Sequence, residues 1–307
     1  MSLLVIGTVA FDAIETPFGK TDKIVGGAAT YISVSASYFR KNINLVSVVG
    51  EDFPQATIDM LRDKGIDTEG LQIKQGEKTF FWSGKYHADM NTRDTMDTQL
   101  NVLSNFDPII PESYQDCEYL MLGNLMPGLQ QKVIKGLRNR PKLIVMDTMN
   151  FWMEVALADL LETMKLVDVL TINDEEARLL TGEYSLVKAA RKILTMGPKY
   201  LIIKKGEHGA LLFHEKEVFF APALPLEEVF DPTGAGDTFA GGFIGHLAKT
   251  KDISFENMKS AIIIGSAMAS FCVEKFGTTR LKEISKEEIN DRIHSFVDLV
   301  NFEIALI

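Results

Sequence analysis

Asp231-Pro232-Thr233-Gly234-Ala235-Gly236-Asp237 opens a helical run over 238–249, and its residue types imply a reaction. Small residues at a helix start leave main-chain N–H groups uncovered, and the helix dipole adds partial positive charge there. Gly234, Ala235 and Gly236 therefore suit an anion. Asp237 sets a carboxylate beside that anion, a repulsive placement unless the carboxylate has a task. Phosphoryl transfer uses both groups: the turn holds the moving phosphoryl, and Asp237 takes the proton of the attacking hydroxyl. A helix start should lower the pKa of Asp237 and weaken it as a base. A loose transition state tolerates that, because the hydroxyl releases its proton late and chiefly needs orientation. The plain alternative is a glycine turn that does no more than begin a helix.

Other residues able to do chemistry fall at the ends of apolar runs. Asn173-Asp174-Glu175-Glu176 follows the run 167–172; Asn with Glu three residues on is a capping box, and Glu176 could also orient metal-bound water. Lys204-Lys205-Gly206-Glu207-His208-Gly209 ends another run, where a tight turn into 210–213 suffices to explain Gly206 and Gly209. Gly26-Gly27 opens a helix rich in Ala and Ser, a composition that also serves close helix–sheet packing. Asp12 could accept hydrogen bonds from two neighbouring hydroxyls, or be a surface acid. Asn124 and Asn150 read equally as substrate contacts or helix caps. His208 reads as a turn residue, and His87, His214, His246 and His294 have no nucleophile or metal partner in sequence.

Together these motifs resemble the ribokinase-like (pfkB) family of small-molecule kinases, whose signature D-T-x-G-A-G-D is met almost letter for letter at 231–237, with Pro232 where Thr is common. The resemblance implies that Gly234, Ala235 and Gly236 form the anion hole and that Asp237 is the base. It implies ATP and Mg2+ as cofactors, with Asn173 and Glu176 matching an N-x-x-E motif that helps hold the magnesium and phosphate water network. Lys204, Gly206 and Gly209 match a segment that lines the ATP phosphates. Gly26 and Gly27 match the G-G-x-x-x-N signature at the substrate hydroxyls, except that Tyr31 replaces the Asn. Asp12 matches an acid at the base of a lid that grips two substrate hydroxyls. The stretch 147–152 loosely resembles D-P-N-x-R-x-x-W without its Pro and Arg, and places Asn150 near the substrate. Residues 265–277 resemble the adenine-side segment, and Asp231 and Thr233 match positions beside a monovalent-cation (K+) site in some members. Lids of several members clasp a second subunit, so a homodimer through the β-lid is expected.

The expected reaction moves the γ-phosphoryl of ATP to a hydroxyl of a small polyhydroxylated molecule. A neutral sugar is the first expectation, with an adenosine-type nucleoside or inositol as alternatives; Phe81 or Trp82 could stack on a purine or on a sugar face. Ala28, where some family phosphofructokinases offer Lys, speaks against a phosphosugar. No G-x-G-x-x-G follows the first strand and no G-x-x-x-x-G-K-[ST] occurs, which disfavours dehydrogenases and P-loop enzymes. A ligand sensor that lost turnover is the non-enzyme alternative, and the intact Asp237 opposes it.

These residues need a scaffold. Apolar runs at 3–7, 45–50, 119–123, 143–147, 167–172 and 200–204 alternate with helical patterns at 28–39, 55–64, 129–137, 153–164, 175–181 and 186–195. That predicts an α/β fold, a doubly wound and mainly parallel (ribokinase-like) sheet with ligands at the strands' carboxyl ends. Residues 11–25 and 71–97 break the alternation and read as an inserted β-lid on one domain spanning 1–307, with Phe80, Phe81 and Trp82 suggesting a small second core. A net charge of −10 disfavours nucleic-acid and polybasic membrane contacts. The apolar stretch 261–273 is too short to span a bilayer. With Cys117 and Cys272 the only cysteines and no basic leader ahead of the first apolar run, a cytoplasmic location is expected.

Overall fold

Runs that are apolar on every residue have no face to show water, so they fold as strands covered on both sides. In the computed structural model, which describes residues 2–301 and 303, the first strands are β1 (Leu3–Ile6), β2 (Ala10–Thr16), β3 (Gly19–Lys20), β4 (Ile24–Gly26) and β5 (Ile43–Gly50). There follow β6 (Ile66–Asp67), β7 (Leu71–Lys74), β8 (Phe81–Tyr86), β9 (Arg93–Gln99) and β10 (Tyr119–Leu122). The last five are β11 (Leu143–Asp147), β12 (Val169–Asn173), β13 (Tyr200–Lys204), β14 (Ala210–His214) and β15 (Glu217–Ala221). Helices α1 (Ala28–Ala36), α2 (Gln55–Asp63), α3 (Pro127–Gly136), α4 (Asn150–Val155), α5 (Leu157–Met164) and α6 (Asp174–Thr181) lie between them. They continue as α7 (Leu186–Leu194), α8 (Ala235–Thr250), α9 (Phe255–Cys272), α10 (Thr279–Glu283) and α11 (Lys286–Val300).

Ten strands form the main sheet in the order β15-β14-β13-β12-β11-β10-β1-β5-β6, with β7 also on β5. It is parallel from β13 through β6, and only β14 and β15 run antiparallel. The pleat divides each strand between two cores. Leu3 and Val5 face a cluster containing Phe243 of α8 and Ile262 of α9; Leu4 and Ile6 face one containing Val133 of α3 and Ile193 of α7. The helical run expected as one piece at 153–164 is instead α4 and α5, separated at Ala156 with φ −143°.

α1 and α8 pack closely enough that a Cβ on Gly241 would fall 2.3 Å from the Ile32 carbonyl oxygen. Ser35 Oγ donates to the Thr238 carbonyl oxygen at 2.7 Å. The Ala- and Ser-rich composition of α1 thus does what small residues do, bringing the first turns of α8 against α1.

The second sheet is the lid, ordered β3-β2-β8-β9 with β4 also on β2. Its boundary differs from the expected 71–97. Leu71–Lys74 pairs in parallel with Ser47–Gly50 and belongs to the main sheet, because its apolar Leu71 is buried there. Nor do the three rings at 80–82 make a separate core: each is half-buried, and Phe81 packs against the main cluster. β9, at the edge of the lid, is exposed along all of Arg93–Gln99. Among the described residues no helix is long and apolar enough to cross a membrane.

Candidate active site

The turn at 231–237 is built as its composition requires. Gly234 is the N-cap of α8 in left-handed backbone (φ 76°), and no side chain caps the helix, which leaves first-turn amides for a ligand. The Ala235 amide closes the turn onto the Pro232 carbonyl at 3.2 Å. Asp231, fully buried, staples it: one oxygen accepts the Thr233 N–H at 2.9 Å and the other the Gly277 N–H at 2.8 Å. Thr233 Oγ1 donates to the Tyr86 hydroxyl at 3.2 Å, tying the turn to β8 of the lid. Both Asp231 and Thr233, read from the resemblance as K+ neighbours, are thus engaged in shaping the turn.

Across from the turn, three adjacent parallel strands present their carboxyl ends, where an open α/β sheet gathers ligands. Asp147 ends β11, Asn173 ends β12 and Lys204 ends β13, with Asn173 and Lys204 in register. Lys204 Nζ donates to Asp147 Oδ1 at 3.1 Å, and Thr171 Oγ1 donates to the same oxygen at 2.8 Å. Lys204 Nζ also lies 3.1 Å from the place a Cβ on Gly236 would occupy, so its charge sits at the mouth of the turn. Asn173 and Glu176 form the expected capping box: Asn173 Oδ1 accepts the Glu176 N–H at 2.7 Å, and Glu176 Oε2 accepts the Asn173 N–H at 2.8 Å. Asn173 therefore aims Glu176 and has its own carbonyl oxygen committed to the cap.

Charge is unbalanced here. Burial raises the Asp237 carboxyl to about 7, with the Asp147 charge adding to the rise and Lys204 and Arg93 opposing it. The expected depression at a helix start is overturned, because desolvation and a like charge outweigh the dipole. Burial likewise raises Glu176 to about 7, against the pull of Lys204. Lys204 is raised although burial lowers it, since Asp147, Glu176 and Asp237 all favour its charged form. Lys204, with Arg93 of the lid, facing the carboxyls of Asp147, Glu176 and Asp237 still leaves the basin short of positive charge. That deficit, together with oxygen donors only, fits Mg2+, which keeps most of its water and needs one or two carboxylates; Glu176 and Asp147 are the side chains that would hold it. Among the described residues no group of three His, Cys, Asp or Glu side chains gathers in metal-holding geometry.

Within reach of the charges of Asp231 and Asp237, Asp12 of β2 is buried at 5 % exposure. A Cβ on Gly26 would fall 1.8 Å from Asp12 Oδ2, so only glycine leaves the carboxylate its place. The Gly27 N–H bonds to Asp12 and lowers its pKa, but burial, then Asp231 and Asp237, raise it to about 7. The two acids of the expected site, Asp12 and Asp237, thus lie near enough to feel each other. Asn124 is used internally, accepting from Trp152 Nε1 at 2.8 Å and donating to Met149 Sδ at 3.0 Å. Asn150 is exposed and its Oδ1 accepts the Phe151 N–H at 3.0 Å, a helix-start role. Gly206 and Gly209 flank a short turn after β13, and Asn91 at the lid tip approaches Gly206 so closely that a Cβ there would meet Asn91 Oδ1 at 2.7 Å.

Sequence reasoning missed three contributors. Asp147 carried a signal, an acid ending a buried strand, which was spent on its neighbour Asn150. Arg93 carried none: it lies on the exposed lid strand, yet its charge reaches Asp237 and Glu176. Tyr31 was seen only as a departure, whereas its ring packs beneath Gly234.

An uncapped helix start facing a lysine and carboxylates at the sheet's carboxyl edge, under a β-lid, defines a phosphotransferase of the ribokinase fold. The pattern of the pfkB family carbohydrate kinases matches residues 2–284, and the chain belongs to that family. It is a small-molecule kinase whose acceptor is an alcohol group, and the family uses ATP. A cytidine kinase from Thermococcus kodakarensis is 31% identical over 283 residues, covering 90% of this chain and 98% of that protein. A ribokinase from Haemophilus influenzae is 25% identical over 303 residues, covering 90% and 93%. The crystal structure of the Methanocaldococcus jannaschii nucleoside kinase superposes with a TM-score of 0.76 at 22% identity, covering 95% of this chain and 98% of that one.

Proposed function

We propose that this kinase phosphorylates a nucleoside on its ribose hydroxymethyl group, using ATP and Mg2+. The observation that carries the reading is the pair of carboxyls at the uncapped turn, Asp12 buried and Asp237 half-buried, each raised to about 7. Asp12 would hold the acceptor's vicinal hydroxyls through its two oxygens, presenting the remaining hydroxyl to Asp237. That hydroxyl oxygen forms a bond to the γ-phosphorus, the bond from phosphorus to the β–γ bridging oxygen breaks, and Asp237 receives the proton. First-turn amides around Gly236 and the Lys204 ammonium stand where negative charge develops. Magnesium, when bound, neutralises phosphate charge. The lid excludes water, and Trp82, paired with Asp12 across β8 and β2, offers aromatic surface for a base. Similarity to a cytidine kinase over nearly its whole length supports the nucleoside reading; similarity to ribokinase supports free ribose as the second.

Measuring ADP release with cytidine, uridine, adenosine, inosine, D-ribose and myo-inositol tests the reading. ADP should appear with at least one nucleoside at a kcat/KM above that for ribose. ADP release only with ribose or inositol would displace the nucleoside assignment, and acceptor binding with no ADP from any acceptor would favour a sensor.

A further inference from the structure

The lid reaches the phosphate turn at Tyr86, a side chain with no part in the proton or phosphoryl steps. Tyr86 ends β8, is buried at 5% exposure, and its hydroxyl accepts from Thr233 Oγ1 at 3.2 Å. Thr233 is also held from the main domain. Its N–H donates to Asp231 Oδ1 at 2.9 Å, and its carbonyl oxygen accepts from the Cys272 thiol at 3.6 Å. Thr233 immediately precedes Gly234, the N-cap of α8, so its placement sets where the first amides of that helix point. Tyr86 is tied to the acceptor side as well. Residues two apart share a strand face, so Trp82, Gly84 and Tyr86 point the same way along β8. A Cβ on Gly84 would fall 2.1 Å from Trp82 Cη2, so the Trp82 ring lies along the strand over Gly84, in the direction of Tyr86. Asp12 is the register partner of Trp82 on β2. One face of the lid thus carries the acceptor's holders at one end and the tether of the turn at the other, about 13 Å apart along the strand.

We propose that Tyr86 is a positioning residue for the phosphate turn: its bond to Thr233 holds the first amides of α8 toward the transferring phosphoryl group, from the strand that faces the acceptor. The proposal rests on the reading of that turn as the phosphoryl site and of Asp12 with Trp82 as the acceptor's holders. The bond exists only while β8 lies against the turn. An acceptor resting between Asp12 and Trp82 steadies β8, and through Tyr86 it steadies the turn. Acceptor and ATP then favour each other's binding, by the same factor in both directions because linkage is reciprocal. A turn best ordered beneath an occupied lid also spares ATP from water.

Tyr86→Phe keeps the ring and removes the hydroxyl. Thr233→Val removes the same bond from the other end and leaves Tyr86 opposite Arg93, its register partner. The dissociation constant of AMP-PNP with Mg2+, measured alone, should stay within about twofold of the parent's in both variants, because Asp231 still staples the turn. The factor by which the nucleoside of highest kcat/KM tightens AMP-PNP should drop about fivefold, the worth of one ordinary hydrogen bond. The double variant should lose no more than either single one, since both remove the same bond. A merely structural Tyr86 would weaken AMP-PNP by the same factor with and without acceptor, and that result would overturn the proposal. So would a parent in which the acceptor does not tighten AMP-PNP, or losses that add in the double variant. Amide hydrogen exchange of the ligand-free protein judges the tether whether or not the enzyme turns over. The segment 231–238 should exchange faster in both variants while β11, β12 and β13 exchange as in the parent, and unchanged exchange at 231–238 would overturn the proposal. By contrast, a parent that releases no ADP with any acceptor defeats the functional reading, and the exchange comparison still decides whether Tyr86 holds the turn.

Discussion

Lys204 Nζ stands 3.1 Å from Asp147 Oδ1, joining the ends of two strands that are not neighbours in the sheet. β12 lies between β11 and β13, and Thr171 of that strand donates to the same Asp147 oxygen. The pair is largely buried, with side-chain exposures of 18% for Lys204 and 9% for Asp147. Such a pair contributes little net stability when intact, yet breaking it leaves an uncompensated charge.

Lys204→Met should therefore lower stability by about 3–5 kcal/mol, read as a fall in melting temperature or urea midpoint. Adding Asp147→Asn should return part of that loss without returning activity, because the ammonium at the mouth of the turn is still missing. If Lys204→Met melts with the parent, the ion pair is not the structural link described.

Asp237→Asn keeps the shape of the side chain and removes the proton acceptor. kcat should fall by about 10²–10⁴-fold, while the dissociation constant for ATP stays within about threefold because the turn amides and Lys204 remain. In the parent enzyme, with Asp237 raised to about 7 by burial, kcat should climb through that pH as the carboxyl ionises. A kcat flat from pH 5.5 to 8.5 would be at odds with a base so placed.

Folding stability should run the other way. Asp12, Asp237 and Glu176 are each raised to about 7, chiefly by burial, from ordinary values of 3.8, 3.8 and 4.5. Between those limits the native state holds more protons than the unfolded chain, so stability falls as pH rises. Their contribution is complete below about pH 4 and is lost as pH passes about 7. The melting temperature of the ligand-free protein should drop from pH 5.5 to 8, and Glu176→Gln should flatten that slope. A melting temperature that rises over this interval would show that the acids are paired more fully than the structure indicates.

How much of this could be read from residues alone depended on whether the signal was local. β11 and β13 were legible to the residue, since a strand buried on both faces must be apolar throughout. The capping box at Asn173 and Glu176 and the uncapped turn at Gly234 are also local, each specified within a few residues. The lid boundary was not: the pattern at Leu71 fits a hairpin as well as an edge of the main sheet, and only pairing with Ser47–Gly50 decides it. The pKa of Asp237 was misjudged for a related reason. The helix dipole is a local property, whereas desolvation and the charge of Asp147 are delivered by a strand 90 residues upstream (237 − 147). Asn150 and Asp147 exchanged importance because sequence shows that both follow a strand but not which side chain turns toward the turn.

Arg93 offers the sharpest test of how the lid contributes. It sits on an exposed edge strand, 5.8 Å from the Trp82 ring centroid, and its positive charge lowers the pKa of both Asp237 and Glu176. An exposed strand residue makes little difference to folding, so Arg93→Gln should leave the melting temperature within about 2 °C, a change near the ±0.5 kcal/mol usual for surface positions. Removing the charge lets burial raise Asp237 further, so the acid limb of kcat should move to higher pH and the loss of rate should be greater at pH 6.5 than at 8.5. Arg93→Lys should restore the limb, since the charge rather than the guanidinium shape is what acts at this range. A purely structural role for Arg93 would instead reduce kcat by the same factor at every pH, and a purely nucleotide-binding role would raise KM for ATP with the limb unmoved.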